Sequence, residues 1–298
     1  MADDQAAALS MDDPSSVSAA AEVHRRLMEG RLLVLAPHMD DETLGCGGTM
    51  ALHADPSRVF CLFATDGSRS PTPLLPWTGK PHVDLAMRRK LEAVSALADI
   101  GIPQQNLMFL GLPDGRLKKH HDVLVGKLKE VLDEIQPEVV LAPFRLDVHP
   151  DHIALNRAIR IALRSRAAPA VLLEYFVYFR LRLIPGGDIR SCLPPKSLLQ
   201  IDTSTVSRIK ARALSRYQTQ TMIQHAWQDR PILTADRIRE RCETPEQFFP
   251  SDPDSGLLTV LTRHRLRIFI AYLAERLAKR PKDQLIALLR WLFRMENP

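Results

Sequence analysis

The stretch Arg31-Leu-Leu-Val-Leu-Ala-Pro37-His38-Met39-Asp40-Asp41-Glu42-Thr43-Leu44-Gly45-Cys46-Gly47-Gly48-Thr49-Met50 decides how the chain is read. Leu32 to Ala36 is an unbroken apolar run of strand length, as expected of a strand buried on both faces of a parallel sheet. His38, Asp40, Asp41 and Glu42 follow within five positions, and a threonine and small residues then lead into a segment able to open a helix. Polar groups just past the carboxyl end of a buried strand stand where open α/β sheets bind ligands. One imidazole with two or three carboxylates makes a hard, oxygen-rich set suited to Zn²⁺ or a similar divalent ion. The competing reading is a polar turn whose acids only favour a helix N-terminus.

A second stretch favours the metal. Glu138-Val-Val-Leu-Ala-Pro143 is another apolar run, His149-Pro150-Asp151-His152 follows it, and Ile153 to Ile159 reads as the next helix. Two strands that deliver His/Asp groups to one sheet edge can converge on one ion. Their separation of roughly a hundred residues suits non-adjacent strands of a doubly wound sheet.

These residues carry a family resemblance. Pro37-His38-Met39-Asp40-Asp41-Glu42 with Leu44-Gly45-Cys46-Gly47-Gly48-Thr49, and then His149-Pro150-Asp151-His152, resemble the PIG-L/LmbE family of zinc-dependent de-N-acetylases. Further matching pieces are Thr65-Asp66-Gly67, Arg89-x-x-Glu92, Leu110-Gly-Leu-Pro-Asp114-Gly115 and Lys210-x-x-Ala213-Leu214-x-x-Tyr217-x-Thr219-Gln220. Met39 stands where the family usually has proline, at a position that is not a ligand. The resemblance implies one Zn²⁺ per chain held by His38, Asp41 and His152, with Asp40 as general base. It implies that protonated His149 stabilises the oxyanion or protonates the departing amine, held by Asp151 or Asp147. Glu42 is read as a structural acid bonded to nearby backbone. Arg89 and Asp114 match places where relatives contact sugar hydroxyls or neighbouring anionic groups. The implied substrate is an N-acetylated amino sugar of the N-acetylglucosamine type.

Outward from the two motifs, strand-like and helix-like segments alternate from Arg31 to Asp151, the pattern of a parallel sheet with helices on both faces. A helix is expected near Thr43–Ala54, a strand over Val59–Ala64, a helix over Asp84–Asp99 and a short strand over Leu107–Leu110. A helix over Asp122–Ile135 and a strand over Glu138–Ala142 complete this half. Between the Val59–Ala64 strand and the Asp84–Asp99 helix, a loop with Pro71, Pro73, Pro76, Pro81, Trp77 and His82 is a candidate wall of the substrate cleft. Beyond the second motif, Val171–Phe179 reads as a strand, Leu198–Ile201 as another and Val206–Gln220 as a helix, and Arg241 to Phe248 resembles the family's closing Glu-x-Phe region. The expected fold is therefore α/β, a Rossmann-like three-layer αβα arrangement with a mostly parallel sheet and a C-terminal helical extension. The expected division is a lead-in over 1–29 with a short helix from Val17 to Met28, a deacetylase-like domain over 30–250 and a basic helical extension over 251–298.

The chain has 298 residues, a formal net charge of +5 and four scattered cysteines, Cys46, Cys61, Cys192 and Cys242, with no CxxC pair. They read as free thiols in a reducing compartment. With neither a secretory signal nor an apolar stretch of spanning length, a cytoplasmic protein is expected. Gly45-Cys-Gly-Gly48 lacks the GxGxxG spacing and follows acids that would repel a pyrophosphate, so a nucleotide role is not expected. No nucleic-acid motif is evident. The segment from Leu257 reads as two helices whose nine basic residues outnumber their acids, with Phe269, Tyr272, Trp291 and Phe293 among them. That composition suits an anionic membrane surface, although a hairpin packed on the domain or on a second subunit is the simpler reading. A homo-oligomer is compatible with it. A second hypothesis is then a basic membrane-peripheral or scaffold protein on a degenerate deacetylase fold; the complete His/Asp set favours the enzyme.

Overall fold

The computed structural model describes residues 14–70, 83–166, 169–180, 188–193, 197–225 and 228–251. In chain order its elements are α1 (Pro14–Glu29), β1 (Leu32–Ala36), α2 (Asp41–Leu52), β2 (Val59–Thr65), α3 (Val83–Ile100), β3 (Leu107–Leu112), α4 (His121–Ile135) and β4 (Val139–Pro143). There follow α5 (Pro150–Arg164), β5 (Val171–Tyr175), β6 (Leu199–Ile201), α6 (Ser207–Ser215), α7 (Gln218–Thr221), α8 (Ala235–Glu243) and β7 (Glu246–Ser251). The strands form one seven-stranded sheet in the order β3-β2-β1-β4-β5-β7-β6. The five strands from β3 to β5 pair in parallel, and β7 joins antiparallel to both β5 and β6.

All five residues of β1 are fully buried, and their alternation divides the core. Leu32, Val34 and Ala36 face a cluster with Met50 of α2, Leu97 of α3 and Leu214 of α6. Leu33 and Leu35 face the opposite layer, with Leu128 of α4 and Leu155 of α5. Each such leucine contributes roughly 1.5–3 kcal/mol by leaving water. This is the mostly parallel, two-faced sheet that the alternating pattern predicts. No described helix is long and apolar enough to cross a membrane.

The chain steps outward from β1 to β2 and β3, then returns to lay β4 on the other side of β1, with Val34 opposite Leu141. The strands bearing the two motifs are therefore direct neighbours, contrary to the sequence expectation. The crevice opens where the winding direction reverses, between the two strands flanking that switch point.

Several element boundaries also differ. α2 begins at Asp41, so Asp41 and Glu42 form its first turn. The strand from Val171 stops at Tyr175, because Asp147 and Arg241 take up the backbone of Phe176, Val177 and Tyr178. The helix expected over Val206–Gln220 breaks at Arg216, and Tyr217 lies between α6 and α7. α8 was not anticipated as a helix, nor the Glu246 to Phe248 segment as a strand. The Gly45–Gly48 run packs a helix closely: a Cβ at Gly45 would lie 2.2 Å from the Tyr175 ring, and one at Gly48 2.5 Å from Thr203. The proline-rich loop with Trp77 and His82, the start of the lead-in and the two helices expected from Leu257 onward lie outside the described residues.

Candidate metal centre

Asp41 opens α2 at the mouth of β1, and its Oδ2 is the hub of the centre. It accepts the His38 backbone N–H at 3.0 Å, lies 3.1 Å from His38 Nδ1 and is 3.2 Å from Nε2 of His152, which α5 presents from the end of β4. All three residues are buried. His149 stands at the N-cap of α5, with its ring 4.7 Å from that of His38 and 5.0 Å from that of His152. Ligand atoms of His38, His149 and His152 lie within 4.8 Å of one another.

Carboxylates stand behind both buried imidazoles. His38 Nε2 is 3.2 Å from Asp114 Oδ1 and 3.4 Å from Asp151 Oδ2, and His152 Nδ1 is 3.2 Å from Asp147 Oδ2. Such a partner fixes the orientation and basicity of a metal-ligating histidine. Asp151 is itself anchored by the N–H groups of Gly115 and Leu117, at 2.7 and 3.1 Å. Burial disfavours charge on His38, but Asp114, Asp151 and Asp41 outweigh it and hold the imidazole well above its usual range. Burial likewise opposes charge on His152, and Asp147 and Asp41 push it up to about 9. Asp41 stays well below the usual carboxylate range despite burial, because His152 and His38 face it.

Asp40 is built differently. Its φ of 129° lies in the left-handed region, which costs a residue with a side chain about 1–3 kcal/mol and tends to persist at functional sites. Its side chain makes no capping bond to α2. Instead Oδ1 accepts from the Arg89 guanidinium at 3.1 Å, which also donates to Met39 O at 2.7 Å and Gly67 O at 3.3 Å. Burial pushes the Asp40 carboxyl up to about 8, against the opposing pull of Arg89. Arg89 is 1% exposed, and these contacts turn its guanidinium toward protein. Asp114, 4% exposed, sits behind His38 in the same manner.

The donor set suits a divalent ion. Neither buried ring nitrogen of His152 makes a hydrogen bond of good geometry, although carboxylate oxygens stand 3.2 Å away. Buried polar atoms without partners are rare; a cation among two imidazoles and a carboxylate would take up Nε2, while Nδ1 faces Asp147.

Residues 33–163, β1 through α5, match the family model described as PIG-L: GlcNAc-PI de-N-acetylase. The chain carries a PIG-L family domain. A probable N-acetyl-alpha-D-glucosaminyl L-malate deacetylase 2 of Bacillus subtilis is 28% identical over 202 residues, which cover 65% of this chain and 85% of that protein. The chain spans only 50–60% of the other curated relatives it matches. The fold is shared with the N,N'-diacetylchitobiose deacetylase of Pyrococcus horikoshii at TM-score 0.56 and 17% identity, over 82% of this chain and 95% of that one. It is also shared with the 4-carboxy-2-hydroxymuconate hydratase of Pseudomonas putida, at TM-score 0.51 and 18% identity, over 76% of this chain and 97% of that one. The architecture alone therefore does not choose the reaction, and the PIG-L motif residues must.

Around the PIG-L centre the structure adds contacts that the motifs do not spell out. The Tyr178 ring lies 5.4 Å from that of His152 and 6.3 Å from that of His149, with its backbone N–H on Asp147. Asp147 accepts the His149 backbone N–H with its other oxygen. Tyr217 reaches Glu42 from 175 positions away. Only the aromatic run after Val171 hints at Tyr178 in the sequence.

Proposed function

We propose that this chain is a metal-dependent N-deacetylase that removes the acetyl group from an amino sugar of the N-acetylglucosamine type. The observation that carries this is the meeting of His38, Asp41 and His152 at one point between β1 and β4, with the His152 nitrogens buried and unsatisfied. We assign one Zn²⁺ to these three side chains. When bound, it supplies Lewis-acid polarisation of the acetamide carbonyl and eases the deprotonation of water. The family description, the malate-linked sugar named for the Bacillus protein and the chitobiose named for the Pyrococcus enzyme share an N-acetylglucosamine unit and differ in what it carries. The aglycone is left open on that ground.

In this reading Asp40 takes a proton from the attacking water and returns it to the nitrogen that leaves as the free amine. Its raised pKa brings it toward the operating pH, where proton transfer in both directions is efficient. His149 accepts the Asp151 backbone N–H at Nδ1, which leaves Nε2 as the proton-bearing nitrogen of the neutral ring. That N–H then donates to the carbonyl oxygen as negative charge develops on it. Asp114, Asp151 and Asp147 orient the imidazoles. We keep a domain of residues 30–250 as the catalytic unit, because Tyr217 and Glu246 contact α2 from outside the family match.

Acetate release from a panel of N-acetylglucosaminides with differing aglycones tests the proposal, with zinc-loaded wild type and Asp40→Ala. Release by wild type that collapses in the variant is the expected result. Wild-type protein that binds no zinc and releases no acetate would overturn it.

A further inference from the structure

Asp40 is held in a backbone conformation it would not adopt alone, and the groups that hold it come from three different places. Arg89 of α3 holds the carboxylate. The backbone N–H donates to Glu42 Oε2 at 3.0 Å. Glu42 is fully buried, and its Oε1 accepts from the Thr43 hydroxyl at 2.6 Å and from the Tyr217 hydroxyl. Tyr217 is also fully buried, and its hydroxyl lies 3.3 Å from that of Thr43.

The partners of Glu42 are not equivalent. Thr43 is its sequence neighbour, and its hydroxyl follows any movement of the first turn of α2. Tyr217 belongs to a separate body, the break between α6 and α7, and fixes Glu42 relative to the rest of the fold. A carboxylate tied at one oxygen to a distant, immobile donor can hold a backbone N–H on the other in one place. A buried acid with this much satisfied capacity, directed at the backbone of one strained residue, is more than a helix-terminus charge.

We propose that Glu42 and Tyr217 are positioning residues for the reaction: Tyr217 fixes Glu42, and Glu42 fixes the left-handed backbone of Asp40, so that its carboxylate stays aimed at the donor set. This rests on the reading of Asp40 as the proton acceptor. It predicts that Tyr217 contributes to turnover only through Asp40.

The test has two arms. In the first, protein labelled with ¹⁵N-aspartate reports the Asp40 amide resonance without reference to activity. Tyr217→Phe should shift that resonance while the amide of Asp133 on α4, across the sheet from Tyr217, stays in place; an unmoved Asp40 amide would overturn the proposal. In the second, zinc-loaded Tyr217→Phe should lose roughly ten- to a hundredfold in kcat, the scale expected of a displaced catalytic group, with KM and zinc content little changed. Introduced into Asp40→Ala, the same substitution should change the residual rate less than about twofold. A full-sized loss in that background would mean a general structural role and sink the idea. If Tyr217→Phe does not fold, Glu42→Gln, which keeps the volume and one acceptor, is carried through the same two arms. If wild type binds no zinc and releases no acetate, the functional reading fails, while the amide resonance still decides whether the clamp exists.

Discussion

Helix α2 carries a buried charge cluster at each of two points, and the two are built to opposite rules. In the middle of the helix, Glu246 of β7 accepts from Gly48 N at 2.7 Å, Thr49 N at 2.8 Å and Lys210 Nζ at 2.6 Å. Lys210 is 1% exposed and Glu246 5%, and each charge has the other as a close partner. At the N-terminus, Asp40 sits at positive φ, and His152 has two carboxylates within reach and a well-formed hydrogen bond to neither. The first cluster is complete within the protein and fastens α2 to α6 and β7. The second is complete only with something added. Buried polar groups are normally satisfied, and an imidazole left without a well-formed hydrogen bond among other histidines and carboxylates marks where a ligand belongs.

The largest expected effect falls on the incomplete cluster and concerns rate. Asp40→Ala should lower acetate release by about 10²–10⁴-fold, the usual contribution of a positioned general base. A variant with near-wild-type turnover would place the proton transfer elsewhere. The complete cluster should answer in stability instead. Lys210→Ala leaves Glu246 buried and unpaired and should cost roughly 3–5 kcal/mol in urea unfolding, whereas Lys210→Met with Glu246→Gln should recover part of that. Equal losses in the single and double variants would show that the charge itself is not what matters. Zinc sharpens the contrast from the other side. At a hundred times its dissociation constant it should add about 2.7 kcal/mol to wild-type unfolding and nothing to His152→Ala. Identical zinc responses in the two proteins would remove His152 from the ligand set. The smallest effect is expected at the exposed Lys127–Glu130 pair on α4, 2.8 Å apart, where Glu130→Gln should change stability by less than about 0.5 kcal/mol. A larger change there would mean that burial does not separate the cases.

What could be read from the sequence was contiguous in it. Leu32–Ala36 with His38, Asp40 and Asp41, and Val139–Pro143 with His149 and His152, each place a strand and its polar mouth in one short run. Convergence of the two needed only the rule that ligands sit at the carboxyl edge. Relations set by helix phase or by distant pairing were hidden. The Arg-x-x-Glu match marked Arg89 as a sugar contact, but nothing between Arg88 and Lys90 shows that its position on α3 turns it inward onto Asp40. The partners of Asp147 and Asp151 were equally hidden: Asp147 faces His152 and the backbone N–H of His149, and Asp151 faces His38. β7 escaped because Glu-Gln-Phe-Phe-Pro-Ser has neither clean alternation nor a turn partner, and its neighbour β5 lies more than seventy positions earlier.

The order of the sheet edge has a consequence for how the chain is made. β6 pairs with β7 and with no other described strand, and β7 is the last of the described strands to leave the ribosome. The parallel half and its His/Asp motifs can assemble early, but β6 must wait without a strand to dock on until Glu246–Ser251 emerges. That same late strand brings the carboxylate that neutralises Lys210. A nascent chain halted before β7 therefore holds an unanchored edge strand and an uncompensated ammonium beside α2, which is the state a chaperone or protease would meet.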